Sequence, residues 1–187
     1  MRIGRPVVQM AVLLTILWLP ACSDNERVLN PPTGAAGCGD ESGDRFVDCT
    51  DGTVTDNTAG LIWLKDANCF DLRDFAGAST AAAGLEDGEC GLLDGSSAGE
   101  WRLATKEEWE AIVKTTGCEA GSPHLPDTEG SGCWSEGDPF SEVRPSAYWS
   151  STEGSSSNYT WIVYLHDAYF ITDFKTDVHY VWPVRGP

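Results

Sequence analysis

The chain has 187 residues, with 12 Lys plus Arg against 29 Asp plus Glu, a formal net charge of −17 at pH 7 and a sequence pI near 4.3. That charge excludes a partner held by phosphate neutralisation, nucleic acid above all, because a polyanion would repel the chain. Eight Trp, five Tyr and six Phe supply enough buriable aromatic surface for one packed globular domain, which excludes disorder over most of the length.

Residues 1–21 read as an export signal: Arg2 and Arg5 form a positive start, and Val7 to Leu19 is mostly apolar but too short to span a bilayer. The segment ends Leu19-Pro20-Ala21-Cys22, which resembles a bacterial lipoprotein processing site. In such sites the Cys is lipidated and becomes the first residue. The resemblance implies a lipid anchor on Cys22; the alternative is an ordinary secretory signal cut near Ala21, leaving Cys22 as a free thiol. Ser23, where Asp would favour the inner membrane, implies the outer membrane or cell surface of a two-membrane envelope. Loss of residues 1–21 removes two basic residues and leaves 10 basic against 29 acidic groups, a formal charge of −19. Membrane attachment would therefore run through acyl chains and not through a basic patch.

Residues 22–44 are polar and carry Pro31-Pro32 and several Gly without apolar periodicity. They read as a tether of roughly 25 Å r.m.s. length, followed by a globular domain over residues 45–187. Setting Cys22 aside, six cysteines remain: Cys38, Cys49, Cys69, Cys90, Cys118 and Cys133. An even number in an exported, loop-rich chain predicts three disulfides among about fifteen possible connectivities. Pairing in chain order is expected, Cys38 to Cys49, Cys69 to Cys90 and Cys118 to Cys133. No C-x-x-C or Cys/His cluster has zinc spacing, so no metal is expected.

Arg45 to Lys65 alternates short β-prone runs with turn signals at Asp51-Gly52 and Asn57 to Gly60, which predicts a β-meander. Asp48, Asp51, Asp56 and Asn57 lack calcium-loop spacing and read as turn residues. Asp71 to Leu85 is Ala-rich and predicts a helix ending near Gly84. The second helix is marked by the capping box Thr105-Lys-Glu-Glu108 and by an apolar stripe of Trp109, Ile112 and Val113. Cys118 to Pro145 has no period and reads as a long irregular loop pinned by a disulfide. In the strand Tyr159-Thr-Trp-Ile-Val-Tyr-Leu-His166, alternation places Tyr159, Trp161, Val163 and Leu165 on one face, expected to be the buried one.

Four ordered motifs then carry a resemblance. Asp51-Gly-Thr-Val-Thr-Asp-Asn-Thr-Ala-Gly-Leu-Ile-Trp63, Trp101-Arg-Leu-Ala-Thr-Lys-Glu-Glu-Trp109, Tyr148-Trp-Ser-Ser-Thr152 and Tyr180-Val-Trp-Pro-Val-Arg185 resemble the Lcl C-terminal domain family. The resemblance covers about Arg45 to Arg185. It implies an α+β, C-type-lectin-like fold related to formylglycine-generating enzymes, with two helices, a β-meander, long loops and disulfides. It also implies surface display, and relatives include the diversified ligand-binding proteins of reverse-transcriptase cassettes. Two departures stand out: Ala104 where Pro is common, and Trp182 where Arg is common. One family member binds sulfated glycosaminoglycans, but only Lys175 and Arg185 are basic after Arg144, so that ligand is not carried over.

Catalysis is disfavoured. His124, His166 and His179 are scattered, and no nucleophile elbow, H-E-x-x-H or phosphate loop occurs. The formylglycine-generating relatives hold copper with a cysteine pair near the end of the fold; here no Cys follows Cys133, so that oxidase chemistry lacks its ligands and no cofactor is expected. Ser150, Ser151 and Thr152 read as structural hydroxyls. What remains is a binding module. Tyr148, Trp149 and Trp161 are expected in the core, whereas Tyr164, His166, Asp167, Tyr169, Asp173 and His179 form the candidate ligand surface for an extracellular protein or glycan. The rival reading is a structural envelope lipoprotein without a soluble ligand.

Overall fold

The computed structural model describes Met1, Cys38, residues 43–114, Cys118 and residues 122–186. Apart from Met1, the segment expected to be an export signal, Cys22, expected to carry the lipid, and nearly all of the expected tether lie outside the described residues, and every element below belongs to the unit Pro32–Pro187.

The fold is α+β. Strands β1 (Phe46–Asp48), β2 (Thr53–Asp56) and β3 (Leu61–Leu64) form the expected meander. Its turns are made by carboxylates that satisfy backbone donors: Asp51 accepts from the Thr53 N–H at 3.0 Å, and Asp56 from Thr58 and Ala59 at 2.9 and 3.1 Å. Gly52 is required twice over, because its φ is +86° and a Cβ there would sit 2.4 Å from the Gly91 carbonyl oxygen. Asp56 is also paired with Arg45 at 3.1 Å, both nearly buried. The first sheet is completed from far along the chain. β10 (Pro183–Arg185) lies between β3 and β5 (Arg102–Leu103), giving the order β1-β2-β3-β10-β5.

The second sheet has the order β4-β9-β6-β7-β8, from β4 (Leu72–Arg73), β6 (Ala147–Glu153), β7 (Tyr159–Tyr164), β8 (Tyr169–Phe174) and β9 (His179–Tyr180). Here one expectation is corrected. The first helix does not begin at Asp71: Leu72 and Arg73 pair with Tyr180 and His179, and α1 (Phe75–Gly84) starts after its cap, Asp74, whose Oδ1 accepts the Gly77 N–H at 2.7 Å. Leu72, within the span expected to be helical, is instead half exposed on a strand. Helix α2 (Lys106–Val113) follows its capping box, with Glu108 accepting the Thr105 N–H at 2.7 Å and Arg102 clamping the same carboxylate through two 2.7 Å bonds. Trp109, Ile112 and Val113 are buried.

The core between these elements is aromatic. Trp182 lies within 4.9–5.7 Å, centroid to centroid, of Trp63, Trp109, Phe140 and Tyr148, and its indole N–H donates to the Leu64 carbonyl at 2.7 Å. Such pairs add roughly 0.5–1.5 kcal/mol each beyond burial. The long loop is held to this core by buried Leu125, Phe140 and Val143, and by reciprocal backbone bonds of Ser141 with Lys65 and Ala67 at 3.0 Å. Three disulfides join Cys38 to Cys49, Cys69 to Cys90 and Cys118 to Cys133, the chain-order pairing.

The buried face of β7 differs from expectation. Thr160 and Ile162, assigned to the outer face, are fully buried, while Tyr159 and Trp161 are only partly so; Val163 and Leu165 are buried as expected. The reason is that β7 is covered on both sides. α1 packs with Ile162, and the Thr160 hydroxyl donates to the Ser150 and Thr152 carbonyls across an irregularity in the β6–β7 register.

Candidate functional site

Registers define which side chains share a face of the second sheet. Ile162 opposes Trp149 and Ile171, Tyr164 opposes Ala147 and Tyr169, and Thr160 opposes Asp173. Arg73 opposes His179, and Tyr148 pairs with Tyr180, which puts His179 on the same face as Trp149. One face therefore carries His179, Trp149, Ile162, Tyr164, Tyr169, Ile171 and Asp173. Helix α1 lays Ala78 and Ala82 over Trp149, Ile162 and Val181. The helix stops short of the sheet edge, leaving Tyr169 57 % exposed, Ile171 41 % exposed and Tyr164 half-buried.

The candidate residues behave differently from one another. His166 and Asp167 are exposed in the β7–β8 turn, with their side chains 3.1 Å apart and the His166 ring 5.5 Å from Tyr164. Asp167 also accepts the Tyr169 N–H at 3.2 Å, fixing the turn. His179 is mostly structural in its contacts: its ring lies edge-on to Trp149 at 4.5 Å and its Nε2 meets Asp173 at 3.1 Å. A hydrogen bond from Asp177 to Asp173 raises the Asp177 pKa above the ordinary aspartate range. The site thus gathers Tyr164, His166, Asp167, Tyr169 and Asp173 beside Ile171, with His179 at its inner margin.

Sequence reasoning missed Ile171, whose signal is the alternation in Tyr169-Phe-Ile-Thr-Asp-Phe174 with apolar residues on both faces. It also misplaced Trp161, which is not a core residue: on the opposite face it is half-buried beneath the Lys106 ammonium, 4.9 Å from its ring. Tyr148 and Trp149 are fully buried. The Ser150, Thr152 and Thr160 hydroxyls are engaged by backbone groups, Thr152 accepting the Lys106 N–H at 2.9 Å.

Away from the candidate residues the basic side chains are largely paired. Of the nine basic residues from Arg45 onward, eight meet a carboxylate: Arg45, Lys65, Arg102, Lys106, Lys114, Arg144, Lys175 and Arg185. The ninth, Arg73, lies 6.0 Å from the Phe70 ring. Among the described residues one hollow of 660 Å³ runs along α1, lined by Phe70, Arg73 and Glu89, and another of 280 Å³ lies around Asp48 and Lys65; neither includes a candidate residue. Among the described residues no group of three or more His, Cys, Asp or Glu is placed to hold a metal ion, and no helix is long and apolar enough to cross a membrane.

Comparison with known proteins places this geometry in a family. No curated protein matches the chain. The model of the Lcl C-terminal domain matches residues 52–185, from the turn before β2 to the last residue of β10, and the chain belongs to the Lcl C-terminal domain family.

Proposed function

We propose that this is a lipid-anchored cell-envelope protein whose C-type-lectin-like domain binds an extracellular protein or glycan on the exposed β7–β8 face. Family membership supports a surface-associated protein. The observation that carries the binding reading is that α1 leaves Tyr164, Tyr169 and Ile171 uncovered next to Asp173. Tyrosines with an apolar ring and a polar tip give contact area at low entropic cost, and they stack on sugar rings as readily as on peptide side chains. Pairing of eight cations with carboxylates argues against a polysulfated ligand, which would need those cations for itself. Catalysis is the weaker alternative, since the hydroxyls that resemble a nucleophile run hold backbone groups.

The test is a glycan array together with a panel of secreted and surface proteins, probed with the wild-type chain and with Tyr164→Ala/Tyr169→Ala. Binding that the double variant loses, with its thermal unfolding unchanged, supports the site. Binding that survives the double substitution contradicts it. A structural envelope role predicts that neither chain captures a ligand and that protease treatment of intact cells spares the domain.

A further inference from the structure

We infer that the outer edge of β8 is a strand-addition site for an extended, cationic polypeptide segment; this deepens the binding reading above and rests on it. Among the described residues β8 ends its sheet and is paired only with β7, in an unbroken register of six residue pairs from Tyr159↔Phe174 to Tyr164↔Tyr169. The direction of its backbone groups follows from one bond. The Lys175 N–H donates to the Asn158 carbonyl at 2.9 Å, while the Lys175 carbonyl accepts the Phe75 N–H at 3.1 Å, so in this register Asp173, Ile171 and Tyr169 turn their backbone groups toward β7. Phe170 and Thr172 therefore point their N–H and C=O groups away from the sheet. The Phe174 N–H, next in that row, is taken by the Asp173 side chain at 2.9 Å, which ends the open edge on that side.

Proteins ordinarily blunt such edges with Lys, Pro or a bulge. β8, Tyr-Phe-Ile-Thr-Asp-Phe, has no Lys or Pro, and its register shows no shift. It also exposes Tyr169, Ile171 and Phe174, so an added strand would gain apolar contact on both faces as well as four backbone hydrogen bonds to Phe170 and Thr172.

Charge decides the occupant. Around the edge stand Asp167, Asp173 and Asp177, while Glu153 and Lys175 neutralise one another at 2.9 Å. Lys106 and Lys114 approach the Phe170 ring at 5.6 and 5.9 Å and share the single carboxylate of Glu110, which leaves one cation against the three aspartates. A second copy of this chain, carrying −17 and the same carboxylates, would be repelled from pairing β8 with β8. A strand with Lys or Arg at alternate positions and apolar residues between them would match both features.

The probe is an acetylated, amidated peptide alternating Lys and Val, titrated by fluorescence anisotropy into the full chain. Controls are the same peptide N-methylated at alternate amides and a peptide with Glu for each Lys. Thr172→Pro removes an outward N–H without removing a ladder bond, so the edge tolerates it; Ile171→Lys places a cation on the edge. The expected result is saturable, salt-sensitive binding that weakens about tenfold or more with methylation, with Glu for Lys, and in each variant, while far-UV circular dichroism is unchanged. Equal binding by the methylated or the Glu peptide, no binding by about 1 mM, or a dimer that Thr172→Pro dissociates would each overturn strand addition. A ligand lost on Tyr164→Ala/Tyr169→Ala but retained on Thr172→Pro leaves the binding module standing and removes only the strand-addition mode. Retention in both removes both.

Discussion

Replacing Trp182 by Ala removes the ring on which the two sheets converge. Trp182 is fully buried, meets four aromatic rings, and satisfies the Leu64 carbonyl of β3 through its indole N–H. Deleting a buried Trp costs about 3–5 kcal/mol through lost transfer energy and the residual cavity. The Leu64 carbonyl, left without its donor, adds roughly 1 kcal/mol. A total of about 4–6 kcal/mol with a urea slope of about 2 kcal/mol/M moves the midpoint down by about 2–3 M. Trp182→Phe separates the terms, since it keeps most of the apolar volume and loses the hydrogen bond; it should cost about 1–2 kcal/mol. Equilibrium urea unfolding with the disulfides intact, followed by far-UV circular dichroism, reads both. A Trp182→Ala midpoint within about 0.5 M of wild type would refute the assignment of this residue to the centre of the core.

Three further outcomes follow from particular contacts. Cys69→Ser/Cys90→Ser opens a loop of 21 residues in sequence separation and should cost about 3 kcal/mol, chiefly by releasing the unfolded chain; unchanged unfolding would contradict the bridge. Burial alone would raise the Glu108 pKa, but the Arg102 guanidinium and the Thr105 N–H outweigh it and hold it below the ordinary glutamate range. Glu108 therefore contributes stability that is present at neutral pH and is lost as the pH falls through its lowered pKa; the wild-type advantage over Glu108→Gln in urea should shrink on acidification, and a difference independent of pH would refute the clamp. Palmitate labelling of the expressing bacterium should mark the wild-type chain and not Cys22→Ala, and a labelled Cys22→Ala chain would exclude that anchor.

The elements legible from sequence were those with local causes. The capping box at Thr105 and Glu108, the turn carboxylates Asp51 and Asp56, and the end of α1 at Gly84 each act within a few residues, and each stands where its chemistry put it. Non-local pairing was not legible. β4 is two residues long and exists because Leu72 and Arg73 meet β9, more than a hundred positions later; nothing in Asp71-Leu-Arg-Asp74 signals it. The burial of β7 was misread for a related reason. Alternation shows that two faces exist, but α1 and the Thr160 hydroxyl bonds decide that Thr160 and Ile162 are buried while Tyr159 and Trp161 stay part exposed. Trp182, read from the sequence as a departure from the resembling motif, fills the core.

The candidate site was legible as a set of residue types and less so as a surface. Tyr164, Tyr169 and Asp173 do share a face, as period-two alternation allows once the hairpin register is known. His179 shares it too, yet its ring is engaged by Trp149 and Asp173, so its loss would disturb packing before it disturbed a ligand. Ile171 drew no notice because an aliphatic residue in a strand reads as core until the strand proves to be the edge of its sheet.

The most direct test of the binding claim is hydrogen–deuterium exchange of the full chain with and without the ligand identified by the array or protein panel. The account predicts slowed exchange in peptides covering residues 159–174 and little change along α1 or the β1–β3 meander. Protection confined to the α1 hollow around Phe70 and Glu89, with none in β7 or β8, would contradict it.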